Sequence, residues 1–214
     1  GSGNLSFAEV PTETKPTVAD VSQTIAPATA TTINITGTGF VAIPIVDFVN
    51  ASTGAVTRAN TVSLTSATQL AVNLTIATGN YYVRIENPDG NAGRSTNNII
   101  TASTAPTFST GAGSLGTVTA GESVSLSVAA SSDSTIAFSE TTSVLTSNSN
   151  TPAATMNLTL NSSTGAITGT APSPTAAITY NFTLRATDAE SQTVDRAFSI
   201  TVSVGISNSG GFGN

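Results

Sequence analysis

Two β-sandwiches in succession are the fold class this sequence predicts, and three observations carry the prediction. Apolar residues recur with a period of two in many short runs. The runs are punctuated by Gly, Pro, Asn and Ser, and no stretch shows a helical period. Strands this short and this numerous, with turn residues between them, bury one face each and read as an all-β sandwich. A length of 214 residues suits one large domain or two of about 100 residues each.

The strands can be taken in chain order. Ile33 and Ile35 open the series, followed by Leu70, Val72, Leu74 and Ile76. Val124, Leu126 and Val128 begin a second set. The clearest alternation is Ile178, Tyr180, Phe182, Leu184 and Ala186, interleaved with Thr179, Asn181, Thr183 and Arg185. Val194, Phe198, Ile200 and Val202 follow, with Arg196 on the same parity. Each set reads as a strand with one face in a core.

One string occurs almost twice: NASTGAVT from Asn50 and NSSTGAIT from Asn161. In both places a strand end runs into Asn-x-Ser-Thr-Gly, and Ala with a β-branched residue resumes a strand. A type I turn followed by one left-handed residue makes a bulged hairpin, and that last position favours glycine. Gly54 and Gly165 fit it. The flanking sequences differ too much to mark a duplication, so two hairpins arriving at the same turn is the reading adopted.

The domain boundary falls at ITASTAPTFS, where the strand-like NNIIT (97–101) ends and Pro106 with Phe108 opens something new. The expected organisation is an N-terminal arm over 1–15, a first sandwich over 16–103, a second over 104–204, and a Gly-rich tail over 205–214. A linker this short and proline-bearing restricts the angle between two domains. The chain opens with Gly rather than Met and shows no signal peptide. It therefore reads as a processed or excised piece, with GSG as a cloning remnant.

Composition excludes several functions. There is no Cys, His or Trp, which removes disulfides, thiolate sites, the usual zinc ligands and the usual general base. No Ser triad can form without His, and no Gly-x-Ser-x-Gly elbow occurs. Lys15 is the only lysine, so Ser–Lys chemistry and Lys isopeptide cross-links are discounted. The net charge of −6, with Lys+Arg at 6, argues against nucleic acid as a partner. No apolar run approaches the roughly 18 residues that a membrane-crossing helix needs. Only 8% of residues are charged, while Ser and Thr abound and 38% are hydrophobic. A hydroxyl-coated, charge-poor β surface is common on extracellular, cell-surface and virion proteins.

From Pro16 to Thr101 the chain resembles the IPT/TIG domains, which are immunoglobulin-like modules. PTVADVS (16–22), TTINITGTGF (31–40), PIVDFVN (44–50) and GNYYVRIENPDG (79–90) carry the resemblance. It implies a sharp bend at Gly37-Thr38-Gly39 with Phe40 in the core, and Tyr81, Val83 and Ile85 facing inward. Asn87-Pro88-Asp89-Gly90 suits a type I turn. From Pro106 to Val204 the chain resembles the Putative Ig domain family, a cadherin-like sandwich found in bacterial surface and phage proteins. APTFS (105–109), LGTVTAGESVSLSV (115–128), LTLNSSTGAITGTAP (158–172) and FTLRATDAESQTVDRAFSITV (182–202) carry it. The polar stretch 139–155 departs from that pattern and is expected to protrude as a loop.

Candidate sites are few. Cadherin relatives bind calcium between domains through acids, but here the linker places Ser and Thr where those acids belong. Asp188, Glu190 and Asp195 surround one turn; they offer a weak ion site or, in the favoured reading, a solvated hairpin tip with Asp188 capping the turn and pairing with Arg196. Tyr82 and Arg84 are expected to point outward, either stacking on a sugar or pairing across strands. With Asp89 and Asn91 on the following turn they are the ligand-binding candidates. No catalytic, metal or cofactor-binding residue is assigned, and no cofactor is expected. Of seven Asn-x-Ser/Thr motifs, Asn34, Asn73 and Asn181 lie in expected strands and are not read as glycan acceptors. The resemblances imply a non-catalytic assembly protein of a virion, such as a phage tail, fibre, neck or capsid decoration. Expected partners are other structural proteins or repeated copies of the chain. The alternative is a bacterial cell-surface or secreted adhesin, or a carbohydrate-binding accessory module, whose ligand is a host glycan.

Overall fold

The computed structural model describes residues 15–149 and 154–205. The expected arm before Lys15 and the tail after Gly205 lie outside the described residues. Among the described residues there are nineteen strands and no helix. It divides into two compact units, Gly1–Thr104 and Ala105–Asn214.

Unit 1 contains β1 (Thr17–Val18), β2 (Gln23–Ile25), β3 (Thr31–Thr38), β4 (Ile45–Asn50) and β5 (Val56–Arg58). It continues with β6 (Thr61–Ser66), β7 (Gln69–Leu74), β8 (Gly79–Glu86), β9 (Ala92–Arg94) and β10 (Ile100–Ala102). One sheet has the order β1-β3-β7-β6; the other runs β2-β10-β8-β4-β5, with β9 added beside β8. The period of two explains this layering. Ile33 and Ile35 on β3 and Leu70, Val72 and Leu74 on β7 are buried, and so are Val46 and Phe48 on β4 and Tyr81, Val83 and Ile85 on β8. Residues between them face outward. Phe40 fills the core beyond the β3 bend, as expected.

The chain enters unit 1 through a narrow slot. β1 pairs with β3 through Thr17↔Thr38 and Val18↔Gly37. A Cβ on Gly37 would collide with the Thr17 carbonyl oxygen, and one on Gly93 with the Pro16 carbonyl oxygen. Those two positions therefore need glycine for space, not for rotation.

Unit 2 contains β11 (Thr107–Phe108), β12 (Gly113–Thr119), β13 (Ser123–Ser127), β14 (Ala130–Ser131) and β15 (Ala137–Glu140). β16 (Thr159–Leu160), β17 (Ala166–Thr170), β18 (Ile178–Thr187) and β19 (Thr193–Ser203) complete it. The sheets are β12-β19-β18-β15 and β13-β17-β16, with β11 pairing β14 separately. The β18–β19 hairpin is the spine, in unbroken register from Ile178↔Val202 to Thr187↔Thr193. Phe182 and Phe198 face inward on it, and Phe108 meets Phe198 edge-on at 5.4 Å. In each unit an early strand pairs in parallel with the final one: β2 with β10, and β12 with β19.

The duplicated string forms the same turn twice. Asn50 Oδ1 accepts from the N–H groups of Ser52 (2.9 Å) and Thr53 (3.0 Å), and Gly54 N–H donates to Asn50 O at 2.8 Å. Asn161 Oδ1 accepts from Ser163 and Thr164 at 2.9 Å each, and Gly165 N–H donates to Asn161 O at 2.9 Å. Gly54 sits at φ 73° and Gly165 at φ 77°, the left-handed position that a bulged hairpin requires. The two hairpins are not equivalent, however. β4–β5 belongs to the sheet holding the last strand of unit 1, whereas β16–β17 belongs to the sheet opposite β19. Two different hairpins share one turn chemistry.

The stretch 139–155 does not simply protrude. Ser139 and Glu140 end β15, Leu145 is fully buried and Met156, just beyond the stretch, nearly so. Glu140 gathers the segment: its carboxylate accepts from the N–H groups of Val144 (2.7 Å), Leu145 (2.9 Å) and Thr146 (2.9 Å), and from the hydroxyls of Thr142 (2.7 Å) and Thr146 (2.9 Å). An apolar anchor and an acceptor hub fold the polar loop back onto unit 2. Residues 150–153 lie outside the described residues.

Candidate functional site

The outward face of β5-β4-β8-β9 gathers the arginines of unit 1. Strand register alone does this: Arg58 stands opposite Asp47, Asp47 opposite Arg84, and Arg84 opposite Arg94. One rung therefore reads Arg58, Asp47, Arg84, Arg94 across four strands. At about 4.8 Å per strand spacing it spans about 14 Å. Asp47 is only 6% exposed, because Arg58 lies over it with Nε 3.2 Å from Oδ1. Arg84 Nη1 meets Glu86 Oε2 at 3.3 Å. The Arg94 guanidinium lies over the Tyr82 ring, 4.1 Å from its centroid. Cation–π contact of this kind engages the face of the ring and uses none of the arginine's N–H groups in an ion pair.

Two sequence-based expectations change here. Tyr82 does face outward beside Arg84, but its ring is covered by Arg94 and is not an open stacking platform. Asp89 and Asn91 hold each other at the β8–β9 turn, where Asp89 Oδ1 accepts from Asn91 N–H at 2.9 Å. The structure thus joins Tyr82 and Arg84 to Arg58, Asp47 and Arg94, and gives Asp89 and Asn91 a role in the turn. Arg94 was invisible to the parity of a single strand; it reaches the face only through the hairpin pairing of β9. The same turn is pinned by buried Asn87, whose side chain accepts from Val41 N–H (3.0 Å) and donates to Gly39 O (2.7 Å).

In unit 2 the expected cap is present. Asp188 Oδ1 accepts from Gln192 N–H (2.7 Å) and Glu190 N–H (3.1 Å), while Oδ2 accepts from Gln192 Nε2 (2.8 Å). Its proposed pairing with Arg196 is not: Arg196 Nη1 donates to the Phe108 (3.1 Å) and Thr110 (2.8 Å) carbonyls, because Arg196 shares the inward parity of its strand. Asp195 also leaves the group. It stands opposite Arg185 and takes two hydrogen bonds from it, at 2.8 and 2.9 Å, which hold its carboxyl below the usual range. Asp133 takes its place, so that Asp133, Asp188 and Glu190 bring carboxylate oxygens within 4.8 Å of one another. Glu190 accepts from the Ser134 hydroxyl at 2.6 Å. Oxygens of this kind suit a hard cation, but Asp188 is buried and already capped by its own turn, so this hairpin end is not the expected solvated tip.

An open cleft of about 380 Å³ lies nearby in sequence, walled by Ser131, Ser132, Ser134, Thr135, Phe138 and Ser163. No titratable side chain lines it. Among the described residues no helix is long and apolar enough to cross a membrane.

Residues 105–203 match the model of the Putative Ig domain. The match covers most of unit 2, where two facing sheets and the parallel closure of β12 on β19 are found. Solved structures similar to most of the chain include fragments of OTK, titin and hemolin. Extracellular domains 3–5 of Drosophila OTK share 15% identity over 89% of this chain and 60% of that one, with a TM-score of 0.45. An I-band fragment of titin shares 14% over 89% of this chain, with a TM-score of 0.43, and the chain spans 64% of that fragment. The insect immune protein hemolin shares 14% over 92% and 49%, with a TM-score of 0.38. No curated protein matches the chain. The chain is all-β and folds as two β-sandwich units in succession, the second of them matching the Putative Ig domain model.

Proposed function

We propose that this chain is a non-catalytic structural protein of a virion, built of Ig-like modules that serve as spacers and docking faces, with a first module of the IPT/TIG kind. The observation that carries this reading is the use made of buried and half-buried ionisable groups. Asp47 is covered by an arginine, Asp188 caps a hairpin, and Arg196 satisfies two carbonyls. Each holds the sandwich together, and none faces a second reactive group across a cleft. Catalysis by paired carboxylates needs two of them about 5–10 Å apart on either side of a substrate, and the three clustered acids of unit 2, Asp133, Asp188 and Glu190, have carboxylate oxygens within 4.8 Å of one another instead. The bend at Gly37–Phe40 and the inward Tyr81, Val83 and Ile85 support the IPT/TIG reading. Labelling intact particles with an antibody to the chain tests the virion role. Regularly spaced label is expected, and absence of the chain from purified particles would overturn it.

One observation favours a second reading, an adhesin or carbohydrate-binding accessory module of a bacterial surface or secreted protein. In a chain with so few charged residues, three arginines stand in one row on an open sheet face. A screen of immobilised glycans separates the two readings, since a spacer retains none.

A further inference from the structure

We infer that the Arg58–Arg84–Arg94 row is a binding face for a carboxylate-bearing polysaccharide, a chain of uronic acid residues lying across the strands of unit 1. The inference rests on the second reading above, that a face of this chain holds a glycan, and is independent of where the chain sits in an assembly.

Three observations point to an anionic ligand. First, Arg84 and Arg94 stand directly opposite each other on paired strands, an arrangement that destabilises a sheet unless negative charge lies between or over the two cations. Glu86 meets only Arg84. Second, donors remain available. Arg58 gives one hydrogen bond, from Nε, and Arg84 gives one, from Nη1. The Arg94 side chain makes a ring contact and no hydrogen bond among the described residues. The two arginines of unit 2 contrast with this: Arg185 forks onto Asp195, and Arg196 is spent on two carbonyls. Third, the one acid in the row, Asp47, is buried beneath Arg58, so the exposed edge of the row is cationic although the chain as a whole is acidic.

The geometry narrows the class. A guanidinium fork binds a carboxylate through two parallel N–H donors, and Arg94, held over the Tyr82 ring, has that fork restrained before a ligand arrives. A row about 14 Å long across four strands suits a linear polymer with repeated acids rather than a single small anion. The covered Tyr82 ring removes the stacking surface that a neutral sugar would use.

The test is affinity electrophoresis of the full chain through gels carrying polygalacturonate, dextran sulfate or neutral dextran, alongside a screen of neutral glycans. Retardation by polygalacturonate at low salt is expected, falling as salt screens the row. Arg94→Gln is expected to weaken it about tenfold, with Arg84→Gln/Arg94→Gln weaker still, while Arg185→Gln leaves it unchanged. Amide hydrogen exchange in β4 and β8 checks that the variants stay folded. Retardation by dextran sulfate alone, or retardation insensitive to Arg94→Gln, would overturn the inference. Binding of neutral glycans without polygalacturonate would overturn it while leaving the second reading intact. Binding of nothing would remove both.

Discussion

Gly54 and Gly165 occupy the same left-handed position of the same turn, yet alanine should cost them unequally. At Gly54 an added Cβ meets nothing within 4 Å, so only the backbone penalty of about 1–2 kcal/mol applies. At Gly165 the Cβ would also collide with the Val128 carbonyl oxygen and press on the Phe138 ring. Gly165→Ala is therefore expected to lower the denaturation midpoint well beyond Gly54→Ala, and equal losses would show that the turn alone matters. The string itself announced the turn, but its tertiary neighbours were not written in those eight letters. Tyr180 teaches the same lesson. Its parity placed it in the core, where it lies at 3% exposure, but its hydroxyl finds no hydrogen-bond partner among the described residues. A buried unpaired hydroxyl costs about 1–3 kcal/mol, so Tyr180→Phe should hold or raise the melting temperature. A clear loss would mean that the hydroxyl is satisfied in solution.

Among elements, the segment after β15 depends on one carboxylate. Burial raises the pKa of Glu140, but hydrogen bonds from Leu145 N–H, the Thr142 hydroxyl, and the N–H groups of Thr146 and Val144 outweigh it and bring it below its ordinary value of 4.5. A carboxyl whose folded pKa is lowered contributes stability above the unfolded pKa and loses it as pH falls through the folded one. Hydrogen-exchange protection at Val144–Thr146 is thus expected to hold above about pH 4.5 and to decline below it. Glu140→Gln should show weaker protection with a flatter pH profile in the same window. Nothing in the polar composition of 139–155 betrayed this hub, because Glu140 acts on residues up to six positions ahead through backbone N–H groups that any sequence supplies. Long strands were easier to read. β18 and β19 follow their alternation almost residue by residue, since each buries one face. β9 has three residues and no alternation to read, and with it went the position of Arg94.

For the molecule as a whole, each unit closes a core of its own. The buried cluster built on Phe48, Val83 and Ile100 shares no residue with the one built on Phe182, Phe198 and Ile167. Phe48→Ala removes a fully buried ring and should cost about 3–5 kcal/mol. Amide protection is expected to fall in β3, β7 and β8 while persisting in β18 and β19; an equal fall in both would mean that the cores unfold as one. The all-β class and the core-facing residues were legible because burial imposes a period of two on any sandwich. The arginine row was not, because it depends on which strands become neighbours. The slot at Gly37 and Gly93 sets a practical limit of another kind. Pro16 and Thr17 thread between two residues that have no side chain to retract, so the lead-in acts as a bolt across both sheets. A shortened version of this chain that starts after Thr17 would leave that bolt undrawn, and any fusion partner should be attached upstream of Lys15.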